Sequence, residues 1–76
     1  MTQINDEELL TDIENTRKEI RAYKLLHEGF NILSLLPENE GSKRYYSLQA
    51  DKYNDLAWEC EQFLSEIVDI KRVRNL

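Results

Sequence analysis

The stretch from Tyr46 to Ile70 limits this chain more than any other. Taken in alternating steps of three and four, it reads Tyr46, Gln49, Tyr53, Leu56, Cys60, Phe63, Ile67 and Ile70, and seven of these eight residues are apolar or aromatic. No proline or glycine interrupts them. A seven-residue repeat sustained over more than three heptads predicts a long helix with one seam committed to another helix. On this spacing Phe63 is a seam residue, and Phe63→Asp is expected to unfold the chain.

The partner for that seam lies upstream. Leu9, Ile13, Thr16, Ile20, Tyr23, His27 and Phe30 follow one another at steps of three and four, and Leu10, Leu26 and Leu33 widen the stripe. Asn5 is a good N-cap with Glu8 three residues on, the spacing of a reciprocal capping box. Asp6, Glu7 and Glu8 place negative charge where the helix dipole favours it. Pro37 stops the helix and disfavours helical geometry at Leu36. The spacing predicts a first helix over about 6–36, unbroken at Gly29 because the apolar phase is kept across it. Residues 37–42 form a polar turn, with Gly41 available for a left-handed conformation and Ser42 as the next N-cap. A second helix over about 43–73 ends on Lys71, Arg72 and Arg74. Met1 to Ile4 are read as loose.

A turn this short makes the helices antiparallel neighbours. The register follows from charge. With the turn centred near Asn39 and Glu40, Asp6, Glu7 and Glu8 fall level with Lys71, Arg72 and Arg74. Arg17, Lys18, Arg21 and Lys24 fall level with Asp55, Glu59 and Glu61. The same alignment pairs Leu9 with Ile70, Ile13 with Ile67, Ile20 with Cys60 and Phe30 with Gln49. An antiparallel dimer would match the same charges. The expected fold is therefore all-α: one domain over 1–76, a long antiparallel helical hairpin of coiled-coil type, completed as a four-helix bundle by dimerisation or by a helical partner. Completion is expected because Tyr45, Leu48, Ala57, Trp58, Leu64, Val68 and Val73, with Leu25, Ile32, Leu35 and Leu36, exceed what one seam uses. Chains of this size bury a modest core.

Composition excludes several functions. The formal net charge of −5 argues against a general nucleic-acid binder. One Cys and one His supply neither a disulfide nor a structural zinc site. No apolar run is long enough to span a membrane, and the first residues lack the basic start and apolar segment of a signal peptide. A cytoplasmic protein with a reduced thiol is the expectation. His27 has no nucleophile or second acid beside it, so it reads as structural, and Cys60 reads as a seam residue. No catalytic, cofactor-binding or metal-ligating set emerges, and the chain is read as a non-enzyme. The candidate partner interface is Tyr45, Tyr46, Leu48, Trp58 and Val68. Asp51, Asp55 and Glu59, at steps of four, form a candidate acidic stripe.

The opening of the second helix, Lys43-Arg44-Tyr45-Tyr46 followed by Gln49 and a long apolar-periodic helix, resembles the small two-helix co-chaperones of type III secretion needle proteins. The likeness covers residues 43–71; the first helix is longer than in that family and Pro37 departs from its pattern. It implies docking on a helical-repeat chaperone and restraint of needle-subunit polymerisation. The functional expectation is a small acidic helical adaptor or co-chaperone that buries an apolar face against a protein, itself included. The alternatives are a phage-type inhibitor, acting for example by nucleic-acid mimicry, and an RNA-binding hairpin using Lys43, Arg44 and Tyr45.

Overall fold

The cap, the proline and the terminal cations act where the sequence places them. In a computed structural model that describes residues 5–76, helix α1 spans Asp6–Leu35, a short 3-10 helix spans Pro37–Ser42, and helix α2 spans Lys43–Val73. The expectation for Met1 to Ile4 lies outside the described residues. The Asn5 side chain accepts a hydrogen bond from the Glu8 backbone N–H at 2.7 Å. It thereby satisfies one of the donors that the first helical turn leaves open. At the other end of α1, Leu36 is extended and the Asn39 side chain donates to the Leu33 carbonyl at 3.1 Å.

The turn differs from expectation in its geometry. Gly41 does not adopt a positive φ, because the 3-10 turn carries the chain round without a left-handed residue. Ser42 makes no side-chain cap. The left-handed residue is Asn75, with φ of 59°. It closes α2 together with a bond from the Leu76 N–H to the Lys71 carbonyl at 3.2 Å, the six-to-one bond of a Schellman cap. Gly29 does not break α1, which is continuous through it.

The helices lie antiparallel in a rod of 52 × 19 × 16 Å. The expected register holds. Arg74 pairs with Asp6 at 3.1 Å, and Lys24 pairs with Glu61 at 2.8 Å. Each exposed pair contributes only about 0–1 kcal/mol, so their role is to select the alignment. Among the described residues, Arg17, Arg21, Asp55 and Glu59 do not join in, and Lys18 pairs instead with Glu14 on its own helix.

The seam of α2 is rotated from the expected one. Tyr46, Tyr53, Cys60 and Ile67 face α1 as predicted. Ala50 and Ala57 are buried beside them, Gln49, Leu56, Leu64 and Lys71 are half-buried, and Phe63 and Ile70 are exposed. Ala50 and Ala57 are each 3% exposed, whereas Phe63 is 47% and Ile70 41% exposed. Two helices in contact leave little space on the line between their axes, so small residues occupy it and large ones lie along the flank. Phe63→Asp therefore changes a half-exposed flank and is not expected to unfold the hairpin. Leu9 and Ile13 share a cluster with Ile67, flanked by Leu64 and Val68.

The turn half of the seam is aromatic. Phe30 stacks on Tyr53 at 5.7 Å and on Tyr46 at 6.2 Å between ring centroids. Tyr23 stacks on Tyr53 from the other side at 6.0 Å. The order Tyr23, Tyr53, Phe30, Tyr46 alternates between helices, so the rings interleave. Each such pair contributes about 0.5–1.5 kcal/mol beyond the area it buries.

Candidate docking surface

Leu25, Leu26, Ile32, Leu35, Tyr45, Leu48, Trp58 and Val73 are exposed and apolar. Their grouping decides what they can do. A helix turns about 100° per residue, so side chains share a face only at the right spacing.

The candidate interface on α2 divides. Tyr46 joins the ring stack, and Val68 packs against the Leu9–Ile13–Ile67 cluster, so both are used within the hairpin. Tyr45 lies edge-on to Tyr46 yet is largely exposed, as are Leu48 and Trp58. These three spread over about 140° of the outer half of α2. The same half carries Asp51, Asp55 and Glu59, all exposed. Apolar and acidic groups are mixed there, and the exposed Phe63 and Ile70 lie further along α2 toward its C-terminus.

A continuous face lies along one flank and the back of α1, running from beside the ring stack at Phe30 and Leu33 round to the exposed Leu25 and Ile32. Ala22, Leu26, Gly29, Leu33 and Leu36 follow one another at steps of four and three, with Leu25 and Ile32 beside them. They form a second apolar stripe behind the first. Leu25, Leu26, Gly29, Phe30 and Leu33 line an open groove of about 280 Å³. Gly29 is its floor: a Cβ built there would meet nothing within 4 Å. Across residues 22–36 the charged side chains are Lys24, held by Glu61 over the seam, and Glu28. The signal was present in the sequence as a second three-four spacing with Gly29 at its centre.

The two reactive side chains are held structurally. His27 Nδ1 donates a hydrogen bond to the Ala50 carbonyl at 2.8 Å, so the ring pins one helix to the other. Cys60 Sγ lies 3.8 Å from a Glu19 carboxylate oxygen. Burial first, then the charge and hydrogen bond of Glu19 and the charge of Glu59, push the Cys60 thiol up from its ordinary range. Only the thiolate is nucleophilic, so Cys60 is expected to react with a thiol reagent at pH 8 more slowly than the same chain in denaturant. Because the folded pKa is the raised one, this contribution to stability is complete below the ordinary thiol pKa. It is lost as the pH rises through the folded value. Equal labelling rates in the two states would refute the assignment.

Among the described residues, no group of His, Cys, Asp and Glu is placed to hold a metal ion, and no helix is long and apolar enough to cross a membrane. Comparison with protein-family models, curated proteins and solved structures finds no match for this chain.

Proposed function

We propose that this chain is a non-enzymatic protein–protein interaction module, a small acidic adaptor or co-chaperone that works in the cytoplasm by burying an apolar helix face against a protein. The observation that supports this reading is the outward stripe of α1 from Ala22 to Leu36. It leaves Leu25 62% and Ile32 52% exposed along a helix whose other side is already packed. Contiguous apolar surface of this kind marks an interaction site. The test is site-specific photocrosslinking in the producing cells, with a benzophenone side chain at position 25 and, as control, at position 66. Adducts heavier than the chain from position 25 alone are expected; their absence from position 25 overturns the reading.

The exposed row Asp51, Asp55 and Glu59, free of cation pairs among the described residues, favours a second reading: an inhibitor that occupies a basic, nucleic-acid-binding groove. Competition with nucleic acid for the crosslinked target at moderate salt separates the two. Displacement supports mimicry; indifference supports the adaptor.

A further inference from the structure

The stripe on α1 is symmetric about its own centre. Counting outward from Gly29, Ile32 stands as far on one side as Leu26 on the other, Leu33 as far as Leu25, and Leu36 as far as Ala22. A two-fold interface is isologous, so residue i meets j and j meets i. A helix face that reads the same in both directions about a small central residue meets that requirement in the antiparallel sense. Gly29, with open space above it, lets the two backbones approach.

The charges flanking the stripe give the second argument. On its N-terminal side stand Lys18 and Arg21, with Arg17 beside them; on its C-terminal side the turn carries Glu38 and Glu40. Arg17, Arg21, Glu38 and Glu40 join no ion pair within the hairpin among the described residues, and Lys18 has only the exposed Glu14. An antiparallel copy centred on Gly29 sets Lys18 and Arg21 of one chain beyond the end of the other's stripe, at the end where its Pro37–Ser42 turn carries Glu38 and Glu40. Symmetry repeats this at the other end. The acidic outer half of α2 stays on the far side of each hairpin, where the two copies do not repel.

We propose that the Ala22–Leu36 face of α1 seats a second copy of this chain, antiparallel across a two-fold axis at Gly29, with Lys18 and Arg21 of each copy against Glu38 and Glu40 of the other. This rests on the reading of the chain as an interaction module and names the occupant of its apolar face. The product is a four-helix assembly with α1 paired to α1 at its centre.

The test is the mass of the full chain by sedimentation equilibrium. Concentrations from roughly 10 µM to roughly 1 mM suit an interface of less than standard size. The mass is expected to rise from 9.1 kDa toward twice that value. Leu25→Glu, at an exposed position, is expected to stay helical and monomeric. Lys18→Glu with Arg21→Glu, and separately Glu38→Lys with Glu40→Lys, are each expected to weaken self-association about tenfold or more, and far-UV circular dichroism checks that both fold. Mixing the two charge variants restores association, because both contacts of the heterodimer then join opposite charges. A monomer at every concentration overturns the second copy as occupant. A dimer that survives Leu25→Glu overturns the face, and charge variants that behave as wild type, alone and mixed, overturn the antiparallel arrangement. Crosslinks from position 25 to a different protein would leave the interaction reading intact while the second copy falls.

Discussion

Leu9→Ala is expected to be the most damaging single truncation in the hairpin and to lower its urea midpoint by a large fraction. Leu9 is 0% exposed and sits in the cluster with Ile13 and Ile67 that joins the ends of the two helices. Truncating a fully buried leucine costs about 2–5 kcal/mol, from lost transfer energy and from the cavity left behind. A chain of this length has roughly 4–11 kcal/mol in all. The loss is thus a large share of the total. The measurement is a urea titration followed by far-UV circular dichroism, with Phe63→Ala alongside. Phe63 has the larger side chain, but it is half-exposed, so its truncation is expected to shift the midpoint far less. If Phe63→Ala proves the more damaging of the two, the rotated seam is wrong.

Phe30→Ala is expected to cost about 2–3 kcal/mol, below the range of roughly 3–5 kcal/mol for a fully buried aromatic, because part of the ring lines the open groove. Phe30 is the ring held between Tyr46 and Tyr53, so its loss breaks the stack into separate pieces. The near-ultraviolet circular dichroism of the tyrosines should fall with it, since their fixed environment depends on that ring. Phe30→Leu keeps most of the apolar volume and isolates the stacking contribution, about 0.5–1.5 kcal/mol for each lost pair. A tyrosine signal unchanged in Phe30→Ala would mean that the rings do not order one another.

The helix limits and the register were legible because each rests on a local rule. Asn5 can cap, Pro37 cannot continue a helix, and the two charge blocks agree on one alignment. The rotation of the seam was not legible from hydrophobicity. Ala50 and Ala57 carry little apolar weight beside Leu56, Phe63 and Ile70, yet close approach between helices selects for small size at the centre line. The ring stack was available in the spacing: Tyr23 and Phe30 lie seven apart, as do Tyr46 and Tyr53, and the register slots one pair between the other. The α1 face was half-visible. Leu25, Ile32 and Leu36 stood out as surplus, but their common side became apparent only once the seam had been fixed and Gly29 proved to be continuous helix. The α2 candidates Tyr46 and Val68 are used inside the hairpin, because an aromatic or aliphatic residue serves a seam and a partner equally well.

The position of the interleaved rings also bears on how the chain finds its shape. Phe30 and Tyr46 are separated by little more than the turn, whereas Leu9 and Ile67 are separated by most of the chain. Loop closure costs more as the loop lengthens, and bringing Leu9 to Ile67 first costs about 1 kcal/mol more in chain entropy than bringing Phe30 to Tyr46 first. Contacts between residues near in sequence also favour rapid folding. The rings therefore stand where the hairpin closes at least entropic cost. A hairpin that closes there first would bring the Leu9–Ile13–Ile67 cluster together last, and substitutions at Phe30 are then expected to slow folding more than substitutions at Leu9.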